Sequence, residues 1–249
     1  MIKLGLIGFP LGHSFSKSYY LNKFEREDIT GIDYELYALE SIDSFKKLYD
    51  TDVEFRGFNV TIPHKMAVMP LLNELSPEAE AIGAVNCITI DNKGGQPILK
   101  GYNTDAFGFE ESLKPLLKSC HKKALVLGNG GAAKAVLYAL TKLGISYLIV
   151  SRTKDNGDLT YEELDATTLA AHQIIINCSP VGTFPNIDQC PTIPYEEITK
   201  DHLLYDLIYN PAETLFLSKG KEKGATIKNG YDMLLLQAEK NWAIWSNNF

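Results

Sequence analysis

The chain has 249 residues, 45% of them hydrophobic, with a formal net charge of -7 and a sequence pI of about 5.3. That length holds one large domain or two modest ones; the acidic balance argues against a generic nucleic-acid surface, and no apolar run approaches transmembrane length. Four cysteines (Cys87, Cys120, Cys178, Cys190) and five histidines are scattered without C-x-x-C spacing, which argues against a structural metal site and points to a reducing, cytoplasmic compartment.

Ile2 to Gly8 reads as a short apolar strand, broken by Gly8-Phe9-Pro10-Leu11-Gly12. Ser14 and Ser16 then lie two residues apart, so an extended segment would turn both hydroxyls to one side, as a polyol or carboxylate ligand needs. The same residues suit the cap of a helix starting near Ser18, which is the simpler reading of the segment taken alone. Tyr34 to Leu39 is a second strand, and Ser41 to Tyr49 a helix with Ile42, Phe45 and Leu48 on one side. In Phe58-Asn59-Val60-Thr61-Ile62-Pro63-His64-Lys65 a strand stops at its proline, and Lys65 follows the strand end, where open α/β sheets bind ligands. A lysine there is equally an ordinary surface charge. Met66 to Glu74 reads as helix, Ser76-Pro77 as a helix start, Gly83 to Ile90 as turn into strand, and Asp91 to Gly95 as a hairpin-like turn. Asp105 opens a helix over Phe107 to Leu117 that links two domains.

The segment KALVLGNGGAAKAVLYALTKLG carries the strongest signal. A strand from Ala124 to Leu127 runs into Gly128-Asn129-Gly130-Gly131-Ala132-Ala133, then a helix with apolar Ala132, Ala135, Val136, Ala139, Leu140 and Leu143, then a strand from Tyr147 to Val150. This is the first half of a dinucleotide-binding unit with the pattern G-x-G-x-x-A. Gly128 permits the tight turn, Gly130 lets a pyrophosphate approach the backbone, and Ala133 lets the helix lie close to the strand. After the second strand an NAD site usually places a carboxylate; here Ser151-Arg152-Thr153-Lys154 stands, and none arrives until Asp155. Arg152 and Thr153 suit a 2′-phosphate, which favours NADP(H) over NAD(H); a solvated basic turn is the plain alternative. Ile174 to Asn177 and Leu203 to Ile208 continue as strands, Thr214 to Gly220 as a helix, and Ala225 to Ile227 as a last strand. Gly230 opens a C-terminal helix with Met233, Leu234, Ala238 and Trp242 on one face.

Eight segments in order, GHSFSKS (12–18), FNVTIPHK (58–65), GAVNCI (83–88), GYNTD (101–105), VLGNGGAAKA (126–135), SRT (151–153), DLIYNP (206–211) and GYDMLLLQA (230–238), together resemble the shikimate and quinate dehydrogenase family nearly end to end. The resemblance implies an α/β fold of two domains: an N-terminal substrate domain (1–104, with helix 229–249 packing back onto it) and a Rossmann-like nucleotide domain (105–228), facing across a cleft. It implies NADPH-dependent reduction of 3-dehydroshikimate to shikimate, a small-molecule substrate, no nucleic-acid or membrane partner, no metal, and a monomer or homodimer. By that likeness Ser14 and Ser16 hold the substrate carboxylate, and Thr61, Lys65, Asn86 and Asp105 hold ring hydroxyls. Lys65 is the proton donor or acceptor, assisted by Asp105, and Tyr209 and Gln237 also touch substrate. The cofactor side comprises Gly128, Asn129, Gly130, Gly131 and Ala132, then Ser151, Arg152 and Thr153, then Leu207, Gly230 and Met233.

The chain departs from the family pattern at Lys17 (commonly proline), Tyr20 (commonly histidine), Ser151 (commonly asparagine) and Asn156 (commonly a second basic residue), with Lys154 the candidate substitute for the lost base. Three rivals follow: an NAD-dependent quinate/shikimate dehydrogenase, against which Arg152 and Thr153 argue; a dinucleotide-binding scaffold without catalysis, against which Lys65 and Asp105 argue; and a methylene-tetrahydrofolate dehydrogenase type, which leaves GHSFS and GYNTD unexplained.

Overall fold

The computed structural model describes residues 1–12, 15–50, 54–92 and 96–249. The chain divides into two compact units, Met1–Thr104 with Ala238–Phe249, and Asp105–Gln237. Both are mixed α/β.

The first unit carries strands β1 (Ile2–Gly8), β2 (Ile32–Ala38), β3 (Phe55–Val60), β4 (Glu74–Leu75), β5 (Cys87–Asp91) and β6 (Ile98–Tyr102), with helices α1 (Phe15–Arg26), α2 (Lys46–Tyr49), α3 (His64–Ala67) and α4 (Pro77–Ile82). Among the described residues its sheet runs β2-β1-β3-β5-β6-β4. The strands are parallel except β5, which pairs antiparallel with both neighbours.

Three sequence expectations change here. The helix expected from Met66 to Glu74 is instead α3, a 3-10 turn over Met69–Leu71, and β4. Pro70 removes the N–H that a continuing helix needs. The helix expected over 41–49 is split into a 3-10 turn (Ile42–Ser44), whose cap is Ser41, and α2. The extended segment considered for Ser14 and Ser16 is not extended at Ser16, because α1 begins at Phe15. Ser14 lies outside the described residues, as do Lys93 to Gly95 of the expected hairpin turn.

The second unit carries α5 (Asp105–Leu113), β7 (Lys123–Leu127), α6 (Gly131–Lys142), β8 (Ser146–Ser151), β9 (Leu159–Thr160), α7 (Ala166–Ala170), β10 (Ile174–Asn177), β11 (Leu203–Asp206), α8 (Leu215–Glu222) and β12 (Thr226–Lys228). The last helix, α9 (Tyr231–Ser246), contains the division between the units. The helix expected over 107–117 begins at Asp105 and gives way to a 3-10 turn at Lys114–Leu116, where Pro115 stands. Among the described residues the sheet is wholly parallel, in the order β12-β11-β10-β7-β8-β9. Counted within the unit, that is the dinucleotide-fold order 3-2-1-4-5-6, read from the far edge. β10 and β11 are buried at every residue, and β7 at all but its first, as a sheet covered on both faces requires. No helix among the described residues is long and apolar enough to cross a membrane.

The C-terminal part of α9 completes the first unit's core. Trp245 is fully buried beside Tyr20 and Tyr34, and its indole N–H donates to the Ile88 carbonyl at 2.9 Å. A Cβ on Gly57 would lie 2.3 Å from that indole nitrogen, so glycine in β3 makes room for the ring. Trp245→Ala is expected to cost about 3–5 kcal/mol. Urea unfolding followed by circular dichroism measures it, and a loss below about 1 kcal/mol would mean that the helix end is not part of this core.

Candidate functional site

In the first unit the backbone gathers three of the proposed ligands at the carboxyl end of β3. The Thr61 N–H donates to the Ile7 carbonyl (2.9 Å), and the Thr61 carbonyl accepts from His64 N–H (2.9 Å), which starts α3 and carries Lys65 as its second residue. The Lys65 carbonyl accepts from Val85 N–H (2.8 Å), and the Asn86 carbonyl from Val60 N–H (2.9 Å). Main-chain bonds thus set Lys65 and Asn86 beside one strand end. The Asn86 side chain is buried. Its Oδ1 accepts from Thr104 N–H (2.8 Å), and its Nδ2 donates to Thr104 Oγ1 (2.9 Å), which in turn donates to Asn241 Oδ1 (2.6 Å). Ser16, in the first turn of α1, hydrogen-bonds the Tyr34 phenol, which donates to Asn59 Oδ1 (2.7 Å). Burial pushes that phenol well above its ordinary value, so it stays a neutral donor. Tyr34, Thr104 and Asn241 support the proposed ligands; Thr104 belongs to the GYNTD segment, while Tyr34 and Asn241 carried no motif. His64 is no ligand candidate: it is buried, with Nε2 2.6 Å from the Leu39 carbonyl.

The second unit has a groove of about 1080 Å³ on the carboxyl side of its sheet, lined by Gly128, Asn129, Gly130, Ser151, Arg152 and Thr153 with the loop Cys178–Val181 opposite. It lies where the strand order reverses, between β7 and β10. Gly128 has φ +100°, a conformation that disfavours any side chain, and packs on the backbone of Ser179. A Cβ added at Gly130 or Gly131 would meet nothing within 4 Å, so both face open space. The N-cap of α6 is Gly130, and no side chain caps the helix, which leaves its first N–H groups for an anion. Ala133 is buried against the sheet. Open glycines, an uncapped helix start and a strand reversal together fit the diphosphate of a dinucleotide.

The loop across the groove is held from below by buried polar groups. Asn177 Oδ1 accepts from Ser179 N–H (3.0 Å) and Ser179 Oγ (2.6 Å), while its Nδ2 donates to Asp206 Oδ1 (3.1 Å). Asp206 also accepts from Ile208 N–H (3.1 Å) and from Thr214 Oγ1 (2.6 Å), the cap of α8. Burial raises the Asp206 carboxyl from 3.8 to about 6, opposed by those three hydrogen bonds.

Comparison with known proteins now bears on these sites. The model of the family described as "Shikimate dehydrogenase substrate binding domain" matches residues 6–88. The chain is 39% identical over 259 residues to the "Shikimate dehydrogenase (NADP(+))" of Carboxydothermus hydrogenoformans, covering 97% of this chain and 90% of that relative. The chain belongs to the shikimate dehydrogenase family. It is similar to the solved shikimate 5-dehydrogenase of Thermus thermophilus in complex with NADP(H) and shikimate, at 31% identity and a TM-score of 0.86, covering 99% of this chain and 94% of that one. It is also similar to the quinate dehydrogenase of Corynebacterium glutamicum in complex with NAD, at 28% identity and a TM-score of 0.85, covering 99% and 94%.

Within this shikimate dehydrogenase family member the remaining candidates are spread over several elements. Gly131 and Ala132 form the first turn of α6. Leu207 and Gly230 pack on each other, and a Cβ on Gly230 would lie 2.1 Å from the Leu207 carbonyl oxygen, so the glycine is demanded by packing as well as by any ligand. Met233 is buried in the core that Leu207 also adjoins. These three do not line the groove described above. Asp105 is buried at the start of α5, Tyr209 is exposed after β11, and Gln237 is buried in α9. The depth of Gln237, against the usual solvation of a mid-helix glutamine, follows from Gly108: a Cβ there would lie 2.5 Å from the Met233 carbonyl oxygen and 3.1 Å from Gln237 N. Ser151 is buried, and its hydroxyl donates to the Thr153 carbonyl, which shapes the turn. Lys154, the candidate second base, donates to Glu163 Oε2 (2.8 Å) and to the Asp158 carbonyl (2.9 Å) in an exposed ion pair. Sequence reading missed Tyr161 and Glu162, which line the groove from beyond β9.

Asp206 sets a pH dependence. Its carboxyl holds a proton more tightly folded than unfolded, so the stability it contributes is complete below its ordinary value and is lost as pH rises to about 6. Relative to Asp206→Asn, the wild-type unfolding free energy should fall by about 3 kcal/mol between about pH 3 and pH 8. Paired urea titrations check this, and parallel pH profiles for the two proteins would reject it.

Proposed function

We propose that this chain is a shikimate dehydrogenase, catalysing the reversible NADPH-dependent reduction of 3-dehydroshikimate to shikimate on the route to aromatic amino acids. The observation that carries the reading is the groove at the strand reversal. Its glycines are open and its helix start uncapped, in a chain whose other unit matches the family's substrate-binding model. We assign Met1–Thr104 to the substrate and the second unit to the cofactor. Bound there, NADPH supplies the hydride.

The chain's own residues do the rest. The Ser14 and Ser16 hydroxyls hold the substrate carboxylate, an arrangement of neutral donors rather than an arginine clamp. Thr61, Asn86 and Asp105 fix ring hydroxyls, and Tyr209 and Gln237 add contacts to the ring. As the ketone is reduced its oxygen gains negative charge, and the Lys65 ammonium stabilises that charge and delivers the proton. Oxidation of shikimate runs the same steps backward, with the Lys65 amine accepting the proton. On the cofactor side the N–H groups of Gly131 and Ala132 face the diphosphate, Arg152 and Thr153 face the 2′-phosphate, and Leu207, Gly230 and Met233 border the nicotinamide. The unpaired Cys87, Cys120, Cys178 and Cys190 are in keeping with a reducing cytoplasm, and gel filtration decides between monomer and homodimer.

Loss of reduced-nicotinamide absorbance on adding 3-dehydroshikimate tests the activity directly. Lys65→Ala should lower turnover by at least ~10² at unchanged thermal stability, as removal of a general acid does. Near-normal turnover would remove Lys65 from its role, and no reaction with wild-type protein would remove the function.

A further inference from the structure

Asn177 is a buried amide at the end of a strand that is otherwise isoleucine, and the proposed chemistry gives it no part. Strand β10 reads Ile174-Ile175-Ile176-Asn177, and Asn177 is as fully buried as the three residues before it. A buried carboxamide is tolerated only where its hydrogen bonds are made, and an apolar side chain would fill β10 without that demand. Here the carboxamide is fully satisfied. Oδ1 accepts from Ser179 N–H (3.0 Å) and Ser179 Oγ (2.6 Å), while Nδ2 donates to the Val181 carbonyl (3.3 Å) and to Asp206 Oδ1 (3.1 Å). All but the last of these bonds go to the loop that lines the groove, and the last goes to a buried carboxyl group.

Those bonds decide where the wall stands against the glycine turn. Ser179 is held by its N–H and its hydroxyl, and Val181 by its carbonyl, so both ends of the loop are tied to one side chain. Gly128 packs directly on this wall, since a Cβ there would lie 3.3 Å from the Ser179 nitrogen. A ligand seated on the glycine turn is therefore bordered by a loop whose position one amide sets, and a binding site works only where its groups are held to within about 0.5 Å. The same residue reaches cofactor candidates that do not line the groove. Its backbone carbonyl accepts from Leu207 N–H (3.0 Å). Asp206 Oδ1 accepts from Ile208 N–H (3.1 Å), and the Ile208 carbonyl from Gly230 N–H (3.0 Å). Asp206 is fixed in turn at Oδ2 by the Thr214 hydroxyl (2.6 Å). Asn177 thus joins the groove wall to Leu207 and, through Asp206, to Gly230.

Resting on the dehydrogenase reading above, we propose that Asn177 is a positioning residue for the dinucleotide. Its carboxamide, braced on Asp206, holds the Ser179–Val181 wall against the glycine turn at the spacing that the diphosphate requires. It acts through Ser179 and Val181 rather than by contact, and Thr214 braces Asp206 one step further from the groove.

Asn177→Asp tests this with little change of volume. It keeps an acceptor facing Ser179 but turns the donor into an oxygen aimed at Asp206 Oδ1 and the Val181 carbonyl. Titration calorimetry of the full chain with NADP+ alone, without turnover, should show binding weakened by at least about fivefold. In steady-state assays the KM for NADPH should rise while that for 3-dehydroshikimate stays within about twofold, a split that general damage to the fold would not produce. Thr214→Val removes the hydroxyl that braces Asp206 and should weaken NADP+ by at least about threefold, whereas Thr214→Ser keeps that hydroxyl and the affinity. This second pair carries the test if Asn177→Asp does not fold, which circular dichroism reports. Folded Asn177→Asp that binds NADP+ within about fivefold of wild type, equal losses at the two KM values, or equal affinities in Thr214→Val and Thr214→Ser would each overturn the proposal and leave the dehydrogenase reading in place. Failure of wild-type protein to bind NADP+ contradicts that reading itself.

Discussion

The reversal of strand order between β7 and β10 is the constraint from which the cofactor site is built. Two parallel strands that run side by side but send their chains to opposite sides of the sheet leave a gap beyond their carboxyl ends. Here the gap is bounded by backbone. Gly128, at φ +100°, turns the chain after β7, and the place where its Cβ would stand is 3.3 Å from the Ser179 nitrogen. A larger residue would be strained in φ and would crowd that wall. The wall is itself rigid, because Asn177 spends its carboxamide on Ser179 on one side and Asp206 on the other. Asp206 is held in turn by the cap of α8. The diphosphate cradle is therefore a consequence of sheet topology plus one buried polar chain, each of whose members is satisfied by the next.

The first unit solves the corresponding problem with main-chain bonds across its mixed sheet. Lys65 stands on a helix of four residues, too short to hold itself. What fixes it is the pairing of its carbonyl with Val85 N–H, next to Asn86, whose own carbonyl pairs with the end of β3. Asn86 then commits its side chain to Thr104, and Thr104 to Asn241 in α9. A residue that looks like a ligand in a motif is here also a structural bolt, and a substitution at Asn86 would disturb both roles. Lys65 offers the cleaner test of the proposed chemistry, since main-chain bonds help to hold it in place.

Much of this was legible in the chain because the informative features are local. A strand, a glycine turn that needs positive φ, and a helix of period 3.6 follow one another within about twenty residues, and the folded unit has them in that order. Thr214 caps α8 and Ser76 caps α4, both within one turn of their partners. What escaped is what a local pattern masks or what depends on distant partners. Pro70 breaks a stretch whose apolar spacing still looks helical on either side of it. Trp245 stands one turn beyond the apolar face expected for α9, yet among the described residues it is the largest fully buried side chain. The pairing of Asp206 with Asn177 joins positions 29 apart, and nothing in either stretch names the other.

The ribose end of the groove shows why charge is the hardest part to read from order alone. SRTK reads as two cations after β8, but in the fold one of them, Lys154, has Glu163 at 2.8 Å, delivered from just beyond β9. The fold then adds an anion that the motif does not contain, Glu162. An exposed ion pair such as Lys154–Glu163 contributes only about 0–1 kcal/mol to stability, so folding alone places little restraint on it. The cradle for the diphosphate is fixed by backbone conformation and by a buried network, and it tolerates little change. Arg152, Thr153 and Glu162 sit on exposed turns at the edge of the sheet, where a single charge can change without disturbing that cradle.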